Sequence, residues 1–230
     1  VSYLLILFFF LYFIFTAVEI KRLNDFAYYK EIQSNLETYI SNNILINVIY
    51  FFIFAIIWVT LLGFGSPILI ISGILFGKII GTLVSIISIS IGALLLYSIG
   101  NFFFRDLVKS ILEKKFNKYI QLFQKNEFFY FFIYRFIGGL GVPFGLQNLI
   151  PILFGMKKIN YFLASFFGFI PGFFIINTIG AGLNTYISQA DSFSMIDFIF
   201  TPQIYLPILM FSALMFFSII IKKKFFDDSN

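Results

Sequence analysis

The sequence predicts an all-α membrane protein, a polytopic helical bundle in which two re-entrant hairpins form an inverted repeat. Three observations predict it. Of 230 residues, 60% are hydrophobic and 12% charged, with a mean hydropathy of +0.96, whereas a soluble domain carries roughly 25% charged residues. Charge-free runs recur at bilayer-like lengths, and two of them are interrupted by glycine and proline where a simple crossing helix would not be. A short motif also recurs in the two interrupted regions. Composition excludes much chemistry. With no cysteine and no histidine, disulfides, thiol catalysis, the usual zinc ligands and the usual proton shuttle are gone. The net charge of +5 reads as a topology signal and an attraction to anionic lipid, not as a nucleic-acid footprint.

Residues 1–18 are apolar and uncharged and end at Glu19, Lys21 and Arg22. They lack the basic start and small-residue cleavage site of a secretory signal, so a retained helix is expected. The expected division is 1–43 as N-terminal transmembrane helix and cytoplasmic loop, 44–186 as the core, and 187–230 as external loop, last transmembrane helix and basic cytoplasmic tail. Residues 44–77 hold no charged side chain. One helix over them would run about 51 Å, against a hydrocarbon core of about 30 Å, so the chain must turn inside. Gly63, Gly65, Ser66 and Pro67 fall after one membrane thickness, and Ser66-Pro67 reads as an N-cap with proline at the first helical position. A span over 44–62 and a half-helix over 67–76 stopping at Gly77 follow, the second too short to cross.

Residues 79–104 form a tilted span rich in small residues, ending at Arg105. Over 106–125, Val108, Ile111, Leu112, Phe116 and Phe123 share a helical face with lysines around it, which predicts an amphipathic helix on the membrane surface. Residues 128–156 are again almost pure hydrocarbon, yet hold Arg135, Gly138-Gly139-Leu140-Gly141, Pro143, Asn148 and Pro151. So many helix breakers need other protein or water to satisfy the freed backbone groups. Two ordinary spans remain, 161–186 and 204–221, which with 1–18, 44–62 and 79–104 make five.

Charge asymmetry sets sidedness. The basic segments 105–125, 157–158 and 222–224 are expected in the cytoplasm, and 187–203, with Asp191 and Asp197 and no basic residue, outside. Both flanks of 128–156 then lie inside, so this segment enters and returns. Counting back, 67–77 dips in from outside and the 19–43 loop lies inside. A multi-pass protein of the inner (plasma) membrane with a cytoplasmic C-terminus is the result.

Ile74-Leu75-Phe76-Gly77 recurs as Ile152-Leu153-Phe154-Gly155, and Gly92 with Ser98-Ile99-Gly100 is echoed by Gly172 with Thr178-Ile179-Gly180. Each unit is a half-helix opened by Pro67 or Pro143, the Ile-Leu-Phe-Gly stop, and a full span. Opposite sidedness makes this an inverted-topology repeat, the architecture of many secondary transporters, in which broken helices meet near the midplane. Half-helix ends there present unpaired N–H groups and a positive dipole end, which suit an anionic group.

These residues carry a resemblance. From about Gly63 to Gly182 the chain resembles the DedA and SNARE-associated Golgi protein superfamily, the VTT domain family, and is most similar to its branch of small bacterial membrane proteins. The matching positions are Pro67, Gly73, Phe76-Gly77, Gly81, Gly92, Tyr97 and Gly100, then Arg135-Phe136-Ile137, Pro143-Phe144, Asn148, Phe154-Gly155, Gly168, Pro171-Gly172 and Gly180. The resemblance implies lipid handling: transport of a polyprenyl phosphate carrier or cell-envelope maintenance among bacterial relatives, phospholipid scrambling among eukaryotic ones. Two positions depart from the pattern. Asn101 stands where the family usually has arginine, and Gly65-Ser66-Pro67 offers no carboxylate where members tied to proton coupling carry an acid.

Arg135 is the sharpest candidate, the only charge within 128–156. A guanidinium fits a phosphate, an intramembrane charge is a functional hypothesis by default, and the alternative is snorkelling to the interface. Asn148 either caps the hairpin tip or lines a polar path. With Arg135 and Asn148, the expected substrate-binding set includes Pro143, Pro67, Ser66 and Arg105, the prolines acting chiefly as backbone devices and Arg105 as a headgroup anchor. Gly73, Gly77, Gly141, Gly155, Pro171 and Gly172 are expected to shape the hairpins. Tyr97 and Asn177 hold roughly equivalent places in the two repeats. No enzyme is expected, since Asp106, Glu113 and Glu127 all fall in surface segments and no acid pair or nucleophile with a base lies in the apolar core. No metal, cofactor or nucleic acid is expected, and homo-oligomerisation stays open. Two functions compete: translocation of an anionic lipid or small anionic solute, and a non-transporting membrane organiser that binds anionic lipid or a partner through the basic amphipathic helix.

Overall fold

A computed structural model describes residues 25–62, 64–192 and 194–222, with the backbone alone for 106–120 and a few further positions. The expected helix over 1–18 and the tail beyond 222 lie outside the described residues. Among the described residues there are eight α-helices and no strand. Three helices, Ile44–Leu61, Ser66–Arg105 and Lys158–Gln189, are long and apolar enough to cross a membrane. The all-α, membrane-type expectation holds.

The connecting segment expected as a loop after residue 18 contains α1 (Phe26–Asn42), capped by Asp25, whose carboxylate accepts from the Ala27 N–H at 3.0 Å. Helix α2 (Ile44–Leu62) follows with the expected bounds. Helix α3 (Ser66–Lys125) is broken once, at Gly77, where φ is 73° and ψ 178°. That conformation is essentially closed to any residue with a Cβ. The chain reverses there. Ser72 Oγ donates to the Gly81 carbonyl at 3.0 Å, across nine residues that a straight helix would hold about 13.5 Å apart. The half-helix ends at Gly77 as the sequence indicated, but it begins one residue early. Gly65 is the N-cap, Ser66 is already helical and exposed, and no side chain caps the end. The Gly65 carbonyl accepts from Leu69 at 3.2 Å, so the backbone turn closes without the Ser66 hydroxyl.

The packing of α2 bears on sidedness. Ile44, Leu75 and Gly77 line one small cleft together with Asn184, and Phe51 of α2 meets Phe76 edge-on at 5.3 Å. Both ends of 44–77 therefore stand at the same end of the bundle. Helix α2 and the limb 66–76 thus pair as a helical hairpin. Lys30 of α1 lies 3.8 Å from Asp191, so the segment expected inside and the 187–203 connection expected outside share one end. The early segment mixes both signs of charge and gave no reliable bias.

The second hairpin stands the other way up. Helix α4 (Glu127–Phe136) runs inward, a 3-10 turn (Gly138–Gly141) reverses the chain, and α5 (Phe144–Leu149) with a 3-10 segment (Ile150–Phe154) returns to Gly155, where φ is 60°. Its base is stapled by the Glu127 carboxylate, which accepts from Lys157 N at 3.2 Å and Asn160 Nδ2 at 2.6 Å. Glu127, expected in a surface segment, is buried. The two hairpins touch tip to tip. A Cβ built on Gly65 would lie 3.5 Å from the Phe144 ring.

Helix α6 (Lys158–Gln189) runs antiparallel to the crossing part of α3, with Tyr97 stacked on Tyr161 at 4.5 Å near one end and Gly81 against Asn177 near the other. Helices α7 (Met195–Phe200) and α8 (Pro202–Lys222) complete the chain, with Gln203 packed on Gly182. The 106–125 segment is helical and continues α3. Gly100 packs on Leu149 and Ile152, and Phe123 stacks on Phe154 at 4.3 Å. Both therefore touch the same return limb, although a straight helix would separate them by about 35 Å, so α3 bends between them.

Candidate functional site around Arg135

The buried face of α4 is Glu127, Phe131 and Arg135, spaced four residues apart and so aligned on one side of the helix. Arg135, in the last turn, is carried inward to 3% exposure. Helix α6 reaches it because residue 168 is glycine. A Cβ there would stand 2.5 Å from the Arg135 Cβ.

The guanidinium is held by three neutral oxygens. Nη1 donates to Gln147 Oε1 at 3.1 Å, and Nη2 donates to Asn148 Oδ1 at 2.5 Å and Tyr161 Oη at 3.0 Å. The Tyr161 hydroxyl donates in turn to Asn148 Oδ1 at 3.2 Å, and Gln147 Nε2 ties the turn by donating to the Val142 carbonyl at 2.6 Å. Four rings surround the cation: Phe131 at 4.7 Å, Phe169 at 4.8 Å, Phe144 at 5.5 Å and Tyr161 at 5.7 Å from their centroids. Behind them Tyr97 donates to the Met156 carbonyl at 2.6 Å.

Hydrogen bonds and ring faces offset the desolvation of the guanidinium, but its charge is not neutralised. Among the described residues no carboxylate lies within 4.0 Å of it. Arg135 Nε and Asn148 Nδ2 are buried donors with no partner. A buried cation with unused donors and no counterion is a costly arrangement, and an arriving anion would supply what is missing. The shell contains no carboxylate base and no activated nucleophile, and among the described residues no cluster of acids could hold a metal ion.

A family model, the VTT domain, matches residues 63–182, just over half of the chain. The chain belongs to the VTT domain family. Comparison with curated proteins and with solved structures returns no match. The VTT domain match opens in the turn before the first return limb and closes in α6. It thus takes in the whole second hairpin and every residue of the Arg135 shell.

Of the residues expected to bind substrate, the VTT domain brings together Arg135 and Asn148. Pro143 is the exposed N-cap of α5 at the tip of the second hairpin. Ser66 and Pro67 open the first return limb and are exposed, apart from the shell. Arg105 is exposed beyond Tyr97 on α3 and makes none of these contacts. Among the shaping residues, Gly77, Gly141 and Gly155 have positive φ. Gly73 packs against the Asn177 backbone, Pro171 lies inside α6, and Gly172 faces open space, so no close approach requires a glycine there.

Four members of the shell escaped the sequence: Gln147, Tyr161, Phe131 and Phe169. Gln147 had a usable signal, since it and Asn148 are the only amides in 128–156. The three aromatics had none among 37 phenylalanines and 13 tyrosines. Tyr97 and Asn177, matched across the repeats, do hold matching places. Tyr97 contacts the return limb of the second hairpin through Met156, and Asn177 that of the first through Gly73.

Proposed function

We propose that this VTT domain protein translocates an anionic lipid, a phospholipid or polyprenyl phosphate, or a small anionic solute, across a bacterial inner membrane. The observation that carries the reading is Arg135, a buried guanidinium where two oppositely oriented hairpins meet, with no acidic partner among the described residues. In this reading both hairpins are re-entrant and their tips meet within the bilayer, where only protein or water can satisfy irregular backbone. The basic segments 105–125, 157–158 and 222–224 face the cytoplasm, C-terminus included, and α1 faces outside with Asp191. Arg135 and Asn148 engage the anionic group, while Pro143, Pro67 and Ser66 shape the approach and Arg105 anchors headgroups.

Arg135 is closed off in this conformation, so the hairpins must part for an anion to reach it. Alternating separation of the two repeats would expose it to one leaflet and then the other. No covalent step is involved. The test is headgroup translocation in liposomes by the purified protein and by Arg135→Ala. A large loss of rate is expected, and equal rates would refute the role given to Arg135. The competing organiser reading predicts the reverse: neutralising the lysines of 109–118 abolishes function and Arg135 is freely replaceable.

A further inference from the structure

A second polar cleft lies at the base of the second hairpin, away from Arg135. Its volume is about 470 Å³, and its lining includes Gln124, Lys125, Asn126, Glu127, Lys157 and Asn160. We propose that this cleft binds a phosphate group, either the headgroup of a membrane lipid or a soluble phosphate.

The balance of donors and acceptors favours an anion. Lys125 and Lys157 bring two ammonium groups, both residues are exposed, and neither has an ion pair among the described residues. Asn126 uses its carbonyl oxygen to accept from Phe129 N at 3.4 Å, which leaves its NH₂ as a donor. The single carboxylate, Glu127, is already engaged by Lys157 N and Asn160 Nδ2, and Gln124 Nε2 by the Phe154 carbonyl. The cleft is thus left with a surplus of positive charge and donors. The cleft opens between the end of α3 and the starts of α4 and α6, the segments that would have to separate if the second hairpin moved.

This inference deepens the proposed function, for which the cleft would be a docking point before Arg135, and its test reads binding rather than transport. Native mass spectrometry of the full chain in detergent would compare retention of phosphatidylglycerol with that of phosphatidylcholine. It would use the wild type, Lys125→Gln/Lys157→Gln, and a control at the opposite end of the bundle, Lys30→Gln/Lys78→Gln. The wild type and control should prefer the anionic lipid, and the cleft variant should lose about tenfold in affinity for it. Displacement of the lipid by millimolar inorganic phosphate would identify the phosphate alone as the recognised group, and its failure would assign the site to a membrane-borne headgroup. Equal retention by the cleft variant and control would overturn the site. Loss of binding in the cleft variant with unimpaired translocation by Arg135→Ala would keep the cleft and remove the proposed function. The opposite pair of results would do the reverse.

Discussion

The two hairpins are built on one plan and carry different loads. Each sends a helix inward, turns on glycine, returns through a proline-opened limb and stops at Ile-Leu-Phe-Gly with a glycine at positive φ. The first has no charge in either limb and is held by apolar packing, close backbone approach and neutral hydrogen bonds: Phe51 on Phe76, Gly73 on Asn177, and Trp58 Nε1 donating to the Phe64 carbonyl at 2.9 Å. The second holds a buried cation, two amides and a stapling carboxylate. A repeat fixes where chain can turn inside a bundle. It does not fix chemistry, which one copy supplies here while the other provides the wall it closes against.

The sharpest way to break that comparison is to make the second hairpin as apolar as the first. Arg135→Met keeps length and removes charge. Translocation should fall about a hundredfold, the size of effect expected when a buried charge contact to an anion is lost. Thermal stability should change by less than about 2 kcal/mol, because the desolvation of an unneutralised guanidinium disappears along with its hydrogen bonds. If stability collapsed along with transport, Arg135 would be a structural pin and the asymmetry between the hairpins would lose its functional meaning.

The stops offer a second comparison. Gly77 combines φ of 73° with ψ of 178°, a region open essentially to glycine alone, whereas Gly155 at φ 60°, ψ 36° is ordinary left-handed backbone that asparagine adopts. Gly77→Asn should therefore cost about 2–3 kcal/mol, and Gly155→Asn less than about 1 kcal/mol, read from denaturation in detergent. A comparable cost at both would mean that the two turns are equivalent after all.

The staple comes next in size. Glu127→Gln weakens the charge-assisted bonds to Lys157 N and Asn160 that close the second hairpin and have no counterpart described in the first. A loss of about 1–2 kcal/mol is expected, together with faster amide exchange confined to the base of that hairpin. Exchange that rose equally in the first hairpin would show the two to open as one unit.

What the sequence made legible follows from the same contrast. The stop at Gly77, the recurrence at Gly155 and the isolated charge at Arg135 are local signals, each visible in a few residues. The pairing of α2 with 66–76 was not, since composition does not say which apolar helices pack together, and only the contacts of Phe51 with Phe76 and the cleft shared by Ile44 and Gly77 show it. Phe131, Phe169 and Tyr161 were hidden for a related reason. In a chain with 22% aromatic residues, a ring that faces a cation looks like a ring that faces lipid. Helix α1 was missed although Tyr29, Ile32, Leu36 and Ile40 recur at helical spacing, because its mixed charges draw attention to sidedness instead.

The smallest expected effect tests the entry to the first return limb. Ser66 looked like the cap of that helix, yet Gly65 takes the position, the Gly65 carbonyl closes the first turn with Leu69, and the Ser66 hydroxyl caps nothing. Ser66→Ala should then change stability by less than about 0.5 kcal/mol. Asp25→Ala, which removes a carboxylate bonded to Ala27 N at the start of α1, should cost about 1 kcal/mol. The pair separates two causes of a helix start, a side chain that accepts a backbone N–H and a proline that needs none. Were Ser66→Ala as costly as Asp25→Ala, the first return limb would rely on a second side-chain hydrogen bond at its tip, beside that of Trp58 to the Phe64 carbonyl, and its contrast with the second hairpin would narrow to the charges of Arg135 and Glu127.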